Sequence, residues 1–251
     1  MRGYCRMIIK TPAIVIKTSP YSETSLIASL YTFNEGKIRC IAKGAGRNKS
    51  PFAGRIESLN EIEAVYTRGK SELCTLIECS LIQSRMRLRN NFDSLKTGLR
   101  IVSLLDETQV EHDPHPSVYN LAITCLNGLE TGEEPVSVLI YFQNSLIDAL
   151  GYATDFDSCA ICSSAVGRKP LYSLYKHGFL CPKCAKNRRG VSISDEVILL
   201  LKNFRKTGFS SAMKLRFTVS HKKEAIAFLK IMLESFLEYK SATSKILNEL
   251  E

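Results

Sequence analysis

The sequence has no stretch near the about 20 consecutive apolar residues that a membrane-spanning helix needs. It also contains no internal repeat and no low-complexity tract. The apolar run Ala13–Ile16 is bracketed by lysines and is too short for the core of a secretory signal. Without such a signal, nine cysteines favour a reducing compartment. We therefore expect a cytoplasmic protein that does not bind membranes. The cysteines outside any motif, which we expect to be mostly buried, are Cys5, Cys40, Cys74, Cys79 and Cys125.

Two motifs that would indicate an enzyme are missing. A phosphate-binding loop needs a glycine directly before its Lys-Ser pair, and Asn48 precedes Lys49-Ser50 here. A zinc deaminase would carry a His-x-Glu motif, and none of the four histidines has glutamate two positions later. The sequence therefore predicts neither ATP binding by that loop nor deamination, and we expect no catalytic centre.

Two Cys-x-x-Cys pairs, Cys159/Cys162 and Cys181/Cys184, are separated by an eighteen-residue loop. This spacing is typical of a zinc ribbon, because two such turns supply the four tetrahedral thiolates that Zn²⁺ prefers. A thioredoxin-like redox role would leave the second pair unexplained. Four protein ligands leave no open position for water or substrate. We therefore predict one structural Zn²⁺ per chain.

The positive charge of the chain, +9 at pH 7 with a pI near 9.1, is unevenly distributed. Residues 1–80 carry a net charge of +5 and residues 191–251 carry +3, whereas residues 81–155 carry −5. The cysteine-rich stretch 156–190 has seven basic residues and one acidic residue. Such a segment predicts a polyanionic partner. The basic residues of this stretch that are predicted to contact phosphates are Arg168, Lys169, Lys183, Lys186, Arg188 and Arg189.

Residues 10–82 are predicted to form strands, because short β-branched and apolar runs alternate there with turn residues. The predicted strands are Ala13–Lys17, Leu26–Phe33, Lys37–Lys43, Ile56–Tyr66 and Glu72–Ile82. Five short strands in this length favour a small antiparallel barrel of the five-stranded oligonucleotide-binding (OB) type.

The third predicted strand is basic on one face. Its alternation places Lys37, Arg39 and Lys43 on the face opposite Ile38 and Cys40. The loop that follows adds two more cations, Arg47 and Lys49. These five cations are predicted to form a phosphate track; the alternative is an ordinary solvated face. Aromatic residues that are either base-stacking platforms or core are Tyr31, Phe33, Phe52 and Tyr66. Of the two sets, we favour the cations.

From about residue 85 the apolar period becomes helical. Core stripes are predicted at Phe92/Leu95/Leu99/Val102, at Val118/Leu121/Ala122/Cys125/Leu126/Leu129 and, after Pro135, at Leu139/Ile140/Gln143/Leu146/Ile147/Leu150. Beyond the ribbon, Ser194 is predicted to cap a helix, and a last helix is predicted over roughly Lys222–Asn248. The ribbon is thus predicted to be an insertion in a helical body.

These features together resemble the RecO family of bacterial recombination mediators. The residues that carry the likeness are Tyr21–Ile27, Tyr31–Phe33, Glu35–Ile38, Ala42–Ser50, Cys159-x-x-Cys162, Gly178–Cys184 and, more weakly, Ser244–Leu247. The sequence departs from the family at Pro51, where a basic residue is usual, and lacks the usual second small residue between Gly178 and Cys181. Neither departure affects a predicted zinc ligand.

The resemblance implies an α+β multidomain protein. The implied domains are an OB-fold DNA-binding domain at 1–82, an α-helical domain formed by 83–155 and 191–251, and a zinc-ribbon insertion at 156–190. It implies a non-enzymatic, nucleoid-associated DNA repair protein that binds single- and double-stranded DNA and anneals complementary strands. It also implies partnership with RecR and with the C-terminal tail of single-stranded DNA-binding protein, and indirectly with RecA, which it helps to load on coated strands.

Two other classes fit the same charges. A zinc-ribbon, barrel-type RNA-binding or translation-associated factor would need a similar phosphate surface. A protein-interaction adaptor is also compatible with the pattern and could coexist with DNA binding.

Overall fold

A computed structural model describes residues 7–69 and 73–248, with the side chains of 239–248 left aside. Cys5 and the first residue of the strand predicted from Glu72 lie outside these ranges. The contacts divide the chain into two compact units, Met1–Gly132 and Glu133–Glu251. No helix in the described ranges is both long and apolar enough to cross a bilayer.

Five strands in the first unit form a closed sheet, as the sequence predicts. They are β1 (Met7–Pro20), β2 (Leu26–Thr32), β3 (Gly36–Ala42), β4 (Glu61–Arg68) and β5 (Leu73–Gln83). Each strand pairs with two others in the order β1-β2-β3-β5-β4, and β4 closes on β1. The fourth strand begins at Glu61 and not at Ile56, because residues 51–59 form turns.

The sheet is antiparallel, as predicted, at four of its five pairings. Four neighbouring pairs are antiparallel, whereas β3 and β5 run parallel. Strand directions cannot alternate around a closed ring with an odd number of members, so a five-stranded ring requires at least one parallel pair. The chain places that pair between β3 and β5.

The interior of the closed sheet follows the period-two alternation of its strands. On β3, Ile38, Cys40 and Ala42 are buried, while Lys37 and Arg39 face outward. Phe52 and Ile56, from the long connection between β3 and β4, complete the same apolar cluster. The described cysteines without a motif, Cys40, Cys74, Cys79 and Cys125, are all buried, which confirms the prediction for them.

Three helices complete the first unit: α1 (Met86–Arg89), α2 (Phe92–Thr108) and α3 (Pro116–Thr131). The stripe predicted on α3 is confirmed, and the helix ends before Gly132, which adopts a left-handed conformation (φ 95°). The stripe predicted on α2 is confirmed at Val102, which is buried, and is wrong at Phe92 and Leu99, which are 78% and 43% exposed. The buried residues of α2 are Ser94, Thr97, Gly98, Ile101, Val102, Leu104, Leu105 and Thr108.

A buried arginine joins the sheet to the helices of this unit. Arg85 has a fully buried side chain, and its guanidinium donates to Asn127 of α3 and to Glu61 of β4. The other carboxylate oxygen of Glu61 accepts from the hydroxyl of Tyr119, also on α3, at 3.1 Å. Burial lowers the pKa of Arg85, which Glu61 opposes.

The described part of the second unit contains five helices and a small three-stranded sheet. Its elements are α4 (Pro135–Ala149), β6 (Leu171–Ser173), β7 (Gly178–Leu180), α5 (Pro182–Ala185), β8 (Val191–Ser192), α6 (Asp195–Lys206), α7 (Phe209–Ala212) and α8 (Val219–Asn248). The helices α6 and α8 pack on α4, and the sheet has the order β7-β6-β8. Pro135 opens α4 as predicted. The start of α6 is also as predicted, but the Ser194 hydroxyl donates to Glu224 of α8 and does not cap α6.

The compact units and the predicted domains have different boundaries. The helices α1–α3 belong to the same compact unit as the five-stranded sheet, whereas the sequence places a boundary at residue 82. The segment between α4 and α6 contains the small sheet and both cysteine pairs. The division into three domains stays a prediction.

Replacement of Arg85 by alanine is expected to destabilise the first unit by about 3 kcal/mol, because it leaves a largely buried carboxylate without its cation. A urea titration followed by far-UV circular dichroism measures the shift. The matched control is Arg87→Ala, two residues along on an exposed site, for which a change within about 0.5 kcal/mol is expected. Equal midpoints for the two variants would contradict the assignment.

Candidate metal centre and nucleic-acid interface

The first cysteine pair lies on a tight turn. The backbone N–H of Cys159 donates to the carbonyl of Ser164 at 2.8 Å, and the N–H of Ser163 donates back to the carbonyl of Cys159 at 2.9 Å. Ser163 adopts a left-handed conformation (φ 58°) at the bend. This reversal brings the thiols of Cys159 and Cys162 into one cluster.

The second pair spans the single turn of α5. The N–H of Ala185 donates to the carbonyl of Cys181 at 2.9 Å, so the chain coils once between Cys181 and Cys184. The two turns are joined by a hydrogen bond from the N–H of Ala160 to the carbonyl of Phe179, at 2.8 Å. Gly178 is required at this junction, because a Cβ there would lie 2.7 Å from the Cβ of Ala160.

The four cysteine sulfurs form one compact group, with all Sγ atoms within 4.8 Å of one another. The Sγ of Cys162 is 3.7 Å from that of Cys181 and 3.6 Å from that of Cys184. Zinc–sulfur bonds of about 2.3 Å in a tetrahedron place the sulfurs about 3.8 Å apart. The group is therefore placed to hold a metal ion, and its donors and spacing are consistent with zinc.

The surroundings favour the thiolate form in two of these cysteines. Burial raises the pKa of Cys159, but backbone N–H groups from Cys181, Ile161 and Cys162 outweigh it and bring the pKa to about 6. The pKa of Cys162 is lowered, first by its hydrogen bond with the Ser164 hydroxyl and then by the Ser164 backbone. The hydrogen bond with Cys162 raises the pKa of Cys184 to about 12, so the metal-binding thiolate form is favoured at Cys159 and Cys162 only.

Aromatic packing fixes the ribbon to the last helix of the same unit. The rings of Tyr172 (β6) and Phe179 (β7) lie 5.0 and 5.9 Å from that of Phe228 on α8. Phe156, which precedes the first cysteine, packs 5.7 Å from Phe179. The metal-binding turns thus rest on a buried aromatic cluster that links them to α8.

The basic residues of the cysteine-rich stretch 156–190 fall into two groups. Arg168 pairs with Asp195 at 3.1 Å, the backbone N–H of Lys169 donates to the same carboxylate, and Lys176 lies over the ring of Tyr175. The second group is exposed and, within the described ranges, forms no ion pair. It consists of Lys183, Lys186, Arg188 and Arg189, on and just after α5. We call this second group the ribbon cations.

Two cations of the predicted phosphate track are already engaged on the outer face of β3. The ammonium of Lys37, only 14% exposed, lies 3.4 Å from the Asp106 carboxylate and donates to the Asp106 carbonyl at 2.6 Å. Arg39 forms an ion pair of 2.8 Å with Glu111. Both acids lie at or beyond the end of α2. The structure therefore places Lys37 and Arg39 under an acidic segment.

The other three cations of the track are exposed after β3. Lys43, Arg47 and Lys49 lie on the loop 43–50 and form no ion pair with a described residue. The loop is held by a hydrogen bond from the N–H of Gly46 to the carbonyl of Thr24 at 3.0 Å. It is therefore fixed against the connection between β1 and β2. We call Lys43, Arg47 and Lys49 the loop cations.

The aromatic residues considered as base-stacking platforms lie mostly in the core. Tyr31, Phe52 and Tyr66 are buried, and Phe33 packs edge-on against Tyr119 at 5.5 Å. Sequence reasoning missed Tyr21, which is 57% exposed on the connection that contacts the loop 43–50. Its position between Pro20 and Ser22, in a turn outside the strands, could have indicated exposure.

Comparison with known proteins gives consistent matches along the chain. The family described as "Recombination protein O N terminal" matches residues 7–85, and "Recombination protein O C terminal" matches residues 89–244. A DNA repair protein RecO of Acetivibrio thermocellus is 32% identical over 183 residues, which cover 72% of each chain. That of Salinibacter ruber is 37% identical over 175 residues, 69% of this chain and 67% of the relative. That of Desulforamulus reducens is 25% identical over 245 residues, 97% and 95% of the two chains.

The metal centre can be tested at its most exposed ligand. Cys162→Ser is expected to lower the bound zinc from one ion per chain towards none and to make the ribbon accessible to protease, because three thiolates hold the metal less tightly than four. Elemental analysis of protein purified without added zinc measures the stoichiometry. Ile161→Ser is the control, since it places the same side chain at an exposed non-ligand neighbour. Equal zinc content in both variants would contradict the four-cysteine site.

Proposed function

The chain belongs to the RecO family of DNA repair proteins, and on this ground we propose that it is a DNA-binding recombination mediator without catalytic activity. It binds single- and double-stranded DNA, anneals complementary strands and helps RecA to load on strands coated by single-stranded DNA-binding protein. The observation that carries the proposal is the set of exposed cations without acidic partners on the loop 43–50. RecR and the C-terminal tail of single-stranded DNA-binding protein are its proposed protein partners, in the cytoplasm at the nucleoid.

The loop cations are the primary phosphate contacts in this proposal. Their charge is available to a ligand, because no described carboxylate neutralises it. Lysine and arginine on an exposed loop contact phosphates regardless of base sequence. A mediator has to act on any damaged sequence, so a contact of this kind suits the task.

The five-stranded sheet is, in this proposal, an OB fold. In such folds the loops at one end of the sheet, including the one between the first two strands, contact oligonucleotides. Tyr21 lies on that connection beside the loop cations. We assign it the stacking role that exposed aromatics perform for unpaired bases.

The ribbon cations form a second phosphate surface. They lie on and after α5, which carries the ligands Cys181 and Cys184, so the metal fixes the backbone that presents them. Zinc bound by four thiolates has no open coordination position. The proposed role of the metal is therefore to stabilise this surface and not to catalyse a reaction.

Removal of the three loop cations together (Lys43→Ala, Arg47→Ala, Lys49→Ala) is expected to weaken single-strand binding. The slope of log affinity against log salt should fall in magnitude by about 2, since each lost phosphate contact contributes about 0.7. Fluorescence anisotropy over a salt series measures it. The control removes Lys206, Lys214 and Lys223, three exposed cations elsewhere, with the same change in net charge. An equal change in both variants would reduce the effect to net charge.

Annealing tests the function itself. Complementary strands coated with single-stranded DNA-binding protein are expected to anneal faster with this protein, without ATP, than the coated strands alone. The same experiment with matched RNA strands distinguishes the RNA-binding alternative. No acceleration on DNA, together with tighter binding of RNA at the same salt concentration, would favour that alternative.

A further inference from the structure

The outer face of β3 is covered by an acidic segment, which we define as residues 106–113. It comprises the last turn of α2 and the first part of the connection to α3. Its carboxylates are Asp106, Glu107, Glu111 and Asp113. Two of them, Asp106 and Glu111, contact cations of the five-stranded sheet.

Asp106 serves two lysines at once. Its carboxylate accepts from Lys17 of β1 at 2.6 Å and lies 3.4 Å from the ammonium of Lys37. Lys37 also donates to the backbone carbonyl of Asp106 at 2.6 Å. The last turn of α2 contains no basic residue of its own. The two lysines therefore supply the positive charge that the negative end of a helix favours.

Beyond α2 the segment meets β3 at one isolated bridge. Glu111 forms a parallel bridge with Lys37, and the N–H of His112 donates to the carbonyl of Lys37 at 3.0 Å. The carboxylate of Glu111 lies 2.8 Å from Arg39. The segment thus contacts the backbone of β3 at Lys37 and pairs with its two outward basic side chains, of which Lys37 is 14% and Arg39 44% exposed.

These acids occupy cations that the phosphates of a bound nucleic acid would otherwise contact. Lys37 and Arg39 lie on the same strand that leads to the loop cations, and four residues of strand span about 13 Å from Arg39 to Lys43. A strand held by Lys43 and Arg47 that continued along β3 would place its phosphates where the carboxylates of Asp106 and Glu111 now lie.

We infer that the acidic segment is an autoinhibitory element that occupies phosphate-binding cations of β3, and that its displacement extends the nucleic-acid surface from the loop cations to Lys37 and Arg39. The inference rests on the proposed function. The ligand is the anionic backbone of a single strand, and the internal competitor is the pair of carboxylates.

Buried Thr108 and Gln109 and the contact between His112 and Arg68 anchor the backbone of the segment, so the displacement that we infer is that of the Asp106 and Glu111 side chains. Gln109 is buried and accepts a hydrogen bond from Tyr31. The next residue, Val110, is half exposed. His112 holds a left-handed conformation (φ 61°) that is unfavourable for a residue with a side chain. The ion pair of Arg39 and Glu111 is partly exposed, and salt screens such pairs.

The test is the double variant Asp106→Asn/Glu111→Gln, measured by single-strand anisotropy over a salt series. The expected result is tighter binding and a slope steeper by about 1.4, the value for two additional phosphate contacts. The control, Asp93→Asn/Glu196→Gln, changes two exposed acids outside the acidic segment and alters net charge equally. If both variants change binding equally, the inference is overturned.

A second comparison identifies the cations. Lys37→Ala/Arg39→Ala is expected to leave binding by the native chain nearly unchanged and to abolish the gain in the Asp106→Asn/Glu111→Gln background. Equal losses in both backgrounds would overturn the inference, since the cations would already contact the strand. Urea midpoints verify folding, and Glu111→Gln with and without Arg39→Ala repeats the comparison with the contacts of Asp106 intact. A native chain that binds no strand would instead refute the proposed function.

Discussion

The pairing of outward cations of the five-stranded sheet with acids at and beyond the end of α2 is the interaction that divides the charges of the first unit. It holds the helical segment against the sheet through Lys17, Lys37 and Arg39. It also decides which cations remain for a ligand. The closed sheet keeps its apolar side chains inside, so every charge on the strands faces outward, either to a helix or to solvent. The loop cations lie beyond this contact and form no ion pair with a described residue, so their charge remains for a bound strand.

A second contact, at Arg85, has a different character. The Arg39–Glu111 pair is partly exposed and is therefore a weak, exchangeable contact, whereas Lys37 is only 14% exposed beside Asp106. Arg85 is fully buried with Glu61 and Asn127, and a broken buried pair is costly. The contact of Arg85 is thus costly to break, whereas the Arg39–Glu111 pair is exchangeable. In the second unit the cysteine cluster and the aromatic cluster around Phe228 hold the ribbon in place, while the ribbon cations stay exposed.

The sequence was most informative where chemistry depends on close spacing. The four cysteines predict their own cluster because two short turns and one ligand geometry determine it. The alternation of β3 predicts correctly which side chains face outward. It could not predict what lies over Lys37, because the partner Asp106 is 69 residues away and only the tertiary fold brings the two together.

The failure on α2 has a steric cause. Phe92, Leu95 and Leu99 have helical spacing as regular as the true buried face, so apolar period alone selects the wrong side. The buried face combines small residues with the apolar side chains of Ile101, Val102, Leu104 and Leu105. At Gly98 the helix approaches its neighbours closely, because a Cβ there would lie 3.3 Å from Leu88 and 3.4 Å from Leu59. The exposed Tyr21 was overlooked for a related reason, since its exposure depends on a turn that no period describes.

Lysine acetylation footprinting of the native chain, with and without a bound single strand, tests the central claim most directly. The bound strand is predicted to protect Lys43 and Lys49, while Lys206 and Lys214 react equally in both states. Lys37, at 14% exposure beside Asp106, is predicted to react poorly with or without the strand. Equal reactivity of Lys43 and Lys49 in the free and bound states would contradict the account.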